Sequence, residues 1–206
     1  FVYGAAFAQG MRPDDTLVDE VVDIPLAGGE VWRPTDHQPP SGRAMSLRDG
    51  LVYSKNTITA QLMQKVGTAN VIKLAKALGV RESPLENVPS LALGVSPVTL
   101  KEMVAAYGTI ANGGGYFEPM LVARIEDRNG RVLEDFAPAK PEPALTQEVA
   151  YTLTDVMRGV VDRGTGSSIR SRYGIYADVA GKTGTTQDNT DGWFILMHPQ
   201  LVAGAW

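Results

Sequence analysis

Six consecutive residues near the carboxyl end, Gly-Lys-Thr-Gly-Thr-Thr at positions 181–186, combine side chains that could do chemistry. A lysine and three threonine hydroxyls lie here beside two glycines. Two short apolar runs come next, 193–197 and 201–206, and the turn residues 198–200 separate them. This pattern predicts consecutive strands of an antiparallel meander. The lysine and hydroxyls would then lie along one strand, where glycine lets a ligand approach the backbone closely.

Two chemical interpretations and one structural interpretation compete for this segment. A phosphate-binding loop needs a glycine five positions before Gly181, but Tyr176 stands there, and the residues after the lysine are predicted as strand rather than helix. Lys-Thr-Gly also belongs to the motif set of serine acyl-transfer enzymes, together with Ser-x-x-Lys and an element of the Ser-x-Asn type. For the tripeptide alone, a solvated lysine on an edge strand is the simplest interpretation. The acyl-transfer hypothesis therefore needs a second motif.

A candidate for that second motif is Ser54-Lys55-Asn56, which lies 128 positions before Lys182 in a predicted turn between two helices. It supplies a hydroxyl and an amide. Taken alone, Ser54 fits a helix cap and Asn56 a turn former. Paired with the Lys-Thr-Gly segment, the two side chains instead favour a shared acyl-transfer site.

The predicted elements give an α+β fold, with helices packed against an antiparallel sheet. Helical patterns occupy much of the middle of the chain, and Ser46, Ser96 with Pro97, and Thr146 are the predicted helix starts. A hairpin is predicted within 116–135 about Asn129-Gly130, and 138–143 has the composition of a linker. The strands cluster at the end of the chain.

The composition of the chain and the motifs that it lacks argue against several classes of function. The net charge of −4 and the pI near 5.2 argue against a nucleic-acid partner. There is no cysteine, and no apolar run approaches the roughly 18 residues of a membrane span. No His or carboxylate cluster has metal spacing, and 188–191 lacks the rest of a calcium loop, so neither a metal nor a cofactor is expected. A Ser-His-Asp hydrolase is poorly supported because no G-x-S-x-G elbow occurs.

Taken together, the motifs resemble the transpeptidase domain of class A penicillin-binding proteins, the bifunctional cell-wall synthases. The similarity extends over nearly all 206 residues. Its pieces, each weak alone, occur in the family's order and spacing. They are Ser46-Leu47-Arg48, Ser54-Lys55-Asn56-Thr57, Ser96-Pro97-Val98-Thr99-Leu100, Ala106-Tyr107, Asn112-Gly113-Gly114, Gly164-Thr165-Gly166, 181–186, Asp191-Gly192-Trp193-Phe194 and Val202-Ala203-Gly204-Ala205-Trp206.

Two departures from the family pattern stand out. Leu196-Met197 replaces the usual glycine and aromatic residue after Trp-Phe-Ile. The Ser-x-x-Lys element has no candidate in the right context, and the resemblance implies that its serine falls a few residues before Phe1. We therefore expect 1–206 to be a partial transpeptidase domain, truncated at both ends, that lacks the nucleophile segment and the final strand or strands.

The resemblance implies a D,D-transpeptidase that cross-links peptidoglycan stem peptides through a serine acyl-enzyme. It implies catalytic roles for Ser54, Asn56 and Lys182, with Ser54 as proton relay. The hydroxyls of Thr183 and Thr185 would bind the substrate carboxylate, Gly184 would admit the substrate strand, and the Thr185 N–H would help form the oxyanion hole. Without the missing serine, the 206 residues alone would be inactive.

The implied partners are a stem peptide ending in D-Ala-D-Ala, β-lactam antibiotics, and another segment of the same protein that carries Ser-x-x-Lys. The implied location is extracytoplasmic, with the parent protein anchored in the cytoplasmic membrane. A D,D-carboxypeptidase and a non-catalytic module that binds peptidoglycan or a partner remain alternatives. A β-lactamase is less favoured because no acidic residue is clearly placed for deacylation.

Overall fold

The computed structural model describes residues 1–26, 28–186 and 190–206, and within them it has the expected mixture of helices and antiparallel strands. The helices are α1 Val2–Ala8, α2 Leu47–Val52, α3 Asn56–Val66, α4 Thr68–Leu78, α5 Leu100–Ala111, α6 Gln147–Asp162 and α7 Ser168–Ser171, with a 3₁₀ helix at Pro89–Leu93. The strands are β1 Thr16–Val18, β2 Ile24–Pro25, β3 Val31–Trp32, β4 Ala44–Ser46, β5 Gly115–Tyr116, β6 Arg124–Glu126, β7 Val132–Asp135, β8 Glu142–Pro143, β9 Ala180–Thr185, β10 Gly192–His198 and β11 Leu201–Ala205.

The predicted meander forms the largest described sheet, a three-stranded antiparallel sheet in the order β11-β10-β9. In its register Lys182 lies opposite Ile195, and Thr185 lies opposite Gly192. Opposite residues of an antiparallel pair share a face, so Lys182 lies on the same face as the buried Ile195. Strand β9 is at the edge of this sheet, which leaves one side of the Lys-Thr-Gly segment without a strand partner among the described residues.

A single cluster of buried apolar side chains joins the helices to the sheet. Ala6 of α1, Leu62 of α3 and Val156 of α6 are completely buried in it, and Ala180 and Met197 contribute from β9 and β10. The amphipathic patterns of the sequence thus converge on one core, as expected for helices layered on a sheet.

Two of the three predicted helix starts are correct and one is wrong. The hydroxyls of Ser46 and Thr146 accept hydrogen bonds from main-chain N–H groups in the first turns of α2 and α6. The predicted start at Ser96-Pro97 is wrong, because α5 begins at Leu100 with Thr99 as its cap. Ser96 is buried and accepts a hydrogen bond from the Glu86 N–H instead.

The hairpin about Asn129-Gly130 is present as β6 paired with β7, but it is shorter than the predicted 116–135. Tyr116 belongs to β5, which pairs with β8 inside the stretch interpreted as a linker. The 188–191 segment, considered above as part of a calcium loop, lies partly outside the described residues. None of the described helices is both long and apolar enough to cross a membrane.

Candidate active site

The connection between α2 and α3 places Ser54 in an unusual backbone conformation. Its φ angle is 53°, and it is the one non-glycine residue with positive φ in the described part of the chain. Such a conformation is uncommon outside glycine and costs free energy that the surrounding structure must offset. Hydrogen bonds from the N–H groups of Ser54 and Lys55 to the carbonyls of Leu51 and Gly50 hold the turn. The cap position of α3 is Lys55, so the helix-cap interpretation of Ser54 is wrong.

The Ser54 hydroxyl meets the Lys-Thr-Gly strand across this turn. Lys182 Nζ donates a hydrogen bond of 2.7 Å to Ser54 Oγ and one of 2.8 Å to the carbonyl of Thr183. Burial of the ammonium lowers the pKa of Lys182 to about 8, because removal from water disfavours the charged form. The two motifs, 128 positions apart in sequence, therefore meet at a hydroxyl and a lysine whose proton is easily released.

A second hydroxyl pair lies on the neighbouring side chains. The hydroxyls of Thr165 and Thr183 are 2.6 Å apart, and the Thr165 N–H donates to the carbonyl of Val52 at the end of α2. Thr165 therefore connects β9 with the helix that leads into the Ser54 turn. From its glycine content, Gly164-Thr165-Gly166 was interpreted as a helix-ending loop in preference to a lining of the site, and Thr165 was not named as a site residue.

The open edge of β9 presents main-chain groups next to these hydroxyls. The Thr186 N–H donates to the carbonyl of Asp191, which makes these two residues a hydrogen-bonded pair. Since such pairs alternate along an antiparallel ladder, the N–H of Thr185 points away from β10 and towards the open edge. A Cβ on Gly184 would lie 3.2 Å from Trp193 Cβ, so packing against the next strand already favours glycine at this position.

Asn56 lies apart from the hydroxyl and lysine pair. It is the first residue of α3, and its Nδ2 donates a 2.7 Å hydrogen bond to the carbonyl of Thr35. Its N–H donates to Asp36 Oδ1, also at 2.7 Å. The structure therefore ties Asn56 to the 33–40 loop and shows no hydrogen bond between it and Ser54 or Lys182 among the described residues.

The amino end of α1 approaches the same site. The main-chain nitrogen of Phe1 is buried and lies close enough to Lys182 to interact with its charge. The Phe1 ring packs edge-on against Tyr107 of α5, with 6.5 Å between the ring centroids. The start of α1 thus lies within electrostatic range of Lys182.

Within the described ranges, no group of three or more His, Asp or Glu side chains is placed to hold a metal ion. The groups that the structure brings together are hydroxyls, one lysine and strand-edge main-chain groups, and acyl transfer can use each of them.

Comparison with known proteins identifies the family. The family model for the penicillin binding protein transpeptidase domain matches residues 1–200. The chain belongs to this family. Penicillin-binding protein 1A of Rickettsia bellii is 32% identical over 229 aligned residues, which cover 100% of this chain and 28% of that protein. The chain thus spans less than a third of the length of this relative.

Solved structures of penicillin-binding proteins share the fold. Penicillin-binding protein 1A from Haemophilus influenzae superposes with a TM-score of 0.85 at 24% identity, over 95% of this chain and 34% of that chain. The D,D-transpeptidase domain of a peptidoglycan glycosyltransferase from Eggerthella lenta gives a TM-score of 0.79 at 25% identity, over 96% of this chain and 55% of that chain. The predicted α+β class and the family resemblance are both confirmed.

Within this penicillin-binding transpeptidase fold, the residues predicted from motifs separate into two groups. Ser54, Lys182 and Thr183 are joined by hydrogen bonds, and Gly184 and Thr185 continue the same edge strand. Asn56 comes two positions after Ser54, but its amide N–H is directed to Thr35.

Proposed function

We propose that this chain forms most of the transpeptidase site of a D,D-transpeptidase that cross-links peptidoglycan stem peptides through a serine acyl-enzyme. The observation that carries the proposal is the 2.7 Å hydrogen bond between Lys182 Nζ and Ser54 Oγ beside an open strand edge. A hydroxyl that contacts a lysine with a lowered pKa can pass a proton to a departing amine. Family membership supports the same reaction class.

In this proposal a serine from a Ser-x-x-Lys segment attacks the carbonyl of the penultimate D-alanine of a stem peptide. Its lysine accepts the serine proton, the peptide bond breaks, and terminal D-alanine leaves after its nitrogen takes a proton from Ser54. Ser54 is reprotonated by Lys182 or by the lysine of the segment. An amine of a second stem peptide then attacks the acyl-enzyme carbonyl, and a new peptide bond forms as the serine ester bond breaks. The amine loses its proton to the lysines of the site, which return one proton to the serine oxygen and regain their initial charge states.

The remaining residues bind and orient the substrate. The hydroxyls of Thr183 and Thr185, with Lys182 behind them, hold the terminal carboxylate, and the Thr185 N–H is one donor of the oxyanion hole. The open edge of β9 accepts the substrate as an added strand, with Gly184 at the centre of the contact. Asn56 Oδ1, which accepts no hydrogen bond from described residues, is available to hold the lysine of the segment.

The segment that carries Ser-x-x-Lys would belong to the same protein and precede Phe1. The support is that the start of α1 lies within electrostatic range of Lys182, so residues added before Phe1 would lie near the Ser54 hydroxyl. On this proposal the 206 residues alone are inactive. They are also a partial domain, and the sheet gains a further strand or strands from the rest of the protein.

β-Lactams would acylate the same serine as mimics of D-Ala-D-Ala, and the site would face the peptidoglycan outside the cytoplasmic membrane, to which the parent protein is anchored. The name of the family supports the first statement, and the proposed peptidoglycan substrate, which lies outside the cytoplasmic membrane, supports the second.

The test is covalent labelling of the parent protein, including the residues before Phe1, with a fluorescent penicillin. We expect one labelled serine in the segment before Phe1, located by peptide mapping. Ser54→Ala should slow acylation by about 100-fold, the scale of a lost general acid-base group. Ser171→Ala, which alters an exposed serine whose hydroxyl donates to the Ser167 carbonyl, is the control.

The outcomes separate the candidates. No label on the folded parent protein would reject the enzyme and favour a module that binds peptidoglycan or a partner. Label with fast deacylation by water and no cross-linked product would favour a D,D-carboxypeptidase. Equal rates for Ser54→Ala and Ser171→Ala would reject the proton relay.

A further inference from the structure

A buried ionic cluster lies directly behind the Ser54 turn. Lys55 Nζ is 3.3 Å from Asp19 Oδ2 and 3.5 Å from Asp36 Oδ2. The side chains of Asp19, Asp36 and Lys55 are only 1%, 8% and 15% exposed. The Thr57 hydroxyl contacts both carboxylates, at 2.8 Å from Asp19 and 3.1 Å from Asp36. The cluster therefore places two carboxylates against one ammonium and one hydroxyl.

The same carboxylate of Asp36 replaces the missing cap of α3. The cap residue Lys55 makes no side-chain hydrogen bond to the helix. Asp36 Oδ1 instead accepts the N–H of Asn56 at 2.7 Å, and Oδ2 lies 3.5 Å from the N–H of Thr57. An acidic group at a helix amino end satisfies otherwise unpaired N–H groups and interacts favourably with the helix dipole. Here that group comes from a loop 20 residues earlier in the chain.

Asp19 extends the connection to the segment that precedes α2. It comes directly after β1, which pairs with β4 immediately before α2, and its Oδ2 accepts the N–H of Ser41 at 2.9 Å. Burial alone would raise the pKa of Asp19, but hydrogen bonds from Ser41, Thr57 and Lys55 bring it below the usual value. The carboxylate is therefore held in its charged form behind the turn.

We propose that Asp36, with Asp19 and Lys55, is a positioning group that fixes the Ser54-Lys55-Asn56 turn so that the Ser54 hydroxyl stays within hydrogen-bond reach of Lys182. The inference builds on the proposed function, in which Ser54 relays a proton. Lys55 is the next residue after Ser54, so its anchoring on two buried carboxylates limits the movement of the neighbouring hydroxyl. Asp36 and Thr35 restrain Asn56 on the other side.

We expect the ionic cluster to act mainly on the position of the Ser54 hydroxyl and less on the free energy of unfolding of the whole protein. A buried ion pair contributes little net stability because desolvation offsets the attraction, yet the loss of one partner leaves a costly unpaired charge. The Ser54 backbone is in a disfavoured conformation, which persists only where its surroundings enforce it. The cluster supplies that enforcement from two loops that precede the turn in the chain.

The test compares Asp36→Asn with Asp36→Leu in the parent protein. Asn keeps a carbonyl oxygen for the Asn56 N–H, whereas Leu has a similar volume and no acceptor. Asp23→Leu is the matched control, since Asp23 forms an exposed ion pair with Arg33 in the same region of the chain. Rates are measured under conditions in which circular dichroism shows that each variant is folded. If Asp36→Leu does not fold, Asp36→Ala takes its place.

Two readouts are taken on each variant. One is the acylation rate constant with a fluorescent penicillin, separated from the dissociation constant of the initial complex. The other is the pH dependence of Lys182 acetylation by acetic anhydride, measured by peptide mapping, which needs no enzymatic activity. We expect Asp36→Leu to lower the acylation rate constant at least tenfold. It should also move the midpoint of Lys182 acetylation downward, because the ammonium loses the Ser54 acceptor that stabilises its charged form. Asp36→Asn should be affected less than Asp36→Leu, and Asp23→Leu should keep an acylation rate within threefold of the parent protein.

The two readouts distinguish the two proposals. If the parent protein is not acylated at all, the proposed transpeptidase fails, and the Lys182 acetylation profile still decides the positioning role. If Asp36→Leu leaves both the acylation rate and the acetylation midpoint as in Asp23→Leu, the positioning role is overturned.

Discussion

At the level of single residues, the site depends on a buried lysine held against a hydroxyl. Lys182 is predicted by sequence as one member of a motif, but its chemistry is set by burial, which lowers its pKa to about 8. A lysine in that condition releases its proton near neutral pH and can restore the proton of Ser54. Its second hydrogen bond, to the Thr183 carbonyl, fixes the direction of the ammonium.

Burial of Lys182 predicts a pH-dependent contribution to stability. The folded-state pKa is near 8 and the ordinary value is 10.5, so between these values the unfolded chain binds more protons than the folded chain. The free energy of unfolding should therefore rise with pH in this window. Relative to Lys182→Met, the gain from pH 7 to pH 9.5 should be about 2 kcal/mol.

Urea unfolding of both proteins at the two pH values measures this difference, because titrations common to both cancel. Lys65→Met, which alters a lysine in the last turn of α3, is the control and should show no comparable gain. A Lys182 difference that stays constant with pH would contradict the burial effect.

The contact between Thr165 and Thr183 predicts that substitution of Thr165 weakens substrate binding. Its hydroxyl is 2.6 Å from that of Thr183, so the two can bind one carboxylate together. Removal of a hydrogen bond to a charged group costs about 1.5–3 kcal/mol. Thr165→Val should therefore lower the second-order rate of acylation by a carboxylate-bearing penicillin about tenfold or more.

The matched control is Thr152→Val, the same substitution at a half-buried threonine of α6 whose hydroxyl donates to the Glu148 carbonyl. Stopped-flow acylation of the parent protein measures both variants. Equal rates would remove Thr165 from the carboxylate site.

At the level of helices and strands, the start of α5 shows how local signals compete. Ser96-Pro97 matches the preference for a capping serine before a proline, yet Thr99 and Glu102 form a reciprocal capping box three residues later. Glu102 is also buried and accepts hydrogen bonds from Ser83, which ties the helix start to the preceding loop. The Thr-x-x-Glu pattern was present in the sequence, and the tertiary contacts of Glu102 stabilise the helix start at this pattern.

The capping box predicts unequal effects of two alanine substitutions on α5. Thr99→Ala should lower the free energy of unfolding by about 1 kcal/mol through the lost cap. It also lowers the helicity of an isolated peptide covering 96–112, whereas Ser96→Ala leaves the peptide unchanged because Ser96 bonds to Glu86 outside it. Circular dichroism of the three peptides makes the comparison. An equal loss for Ser96→Ala would restore the start predicted from sequence.

Across the whole molecule, the site depends on how the end of α6 packs directly against the end of α2. A Cβ at Gly164 would lie 2.3 Å from the Val52 carbonyl oxygen and 2.9 Å from Val160 Cα. The glycine thus permits the close approach that brings Thr165 to β9 and sets the α2 end beside the Ser54 turn.

Gly164→Ala should therefore separate the two helix ends and lower the free energy of unfolding by about 1–3 kcal/mol. The folded variant should also be acylated more slowly. Gly108→Ala is the control, because a Cβ in the middle of α5 meets no atom within 4 Å and should stabilise the helix slightly. Thermal unfolding and penicillin labelling report the two effects. A Gly164→Ala protein as stable and as reactive as Gly108→Ala would contradict the close packing of the helix ends.

The class of the fold and the identity of the motifs could be predicted from local sequence patterns. Apolar periodicity defined most of the helices and the three-stranded meander, because side-chain burial imposes its period on the chain. The order and spacing of Ser54-Lys55-Asn56, Gly164-Thr165-Gly166 and 181–186 indicated the family, and the family model confirms it.

How those side chains meet depends on tertiary packing. The fold brings Ser54 to Lys182, directs the Asn56 amide to Thr35, and pairs Thr165 with Thr183. It also builds the ionic cluster behind the turn from Asp19 and Asp36, two residues of a loop-rich segment with no motif of its own. Such contacts join residues far apart in the chain, and no local pattern encodes them, because their free energy arises only when burial removes the groups from water together.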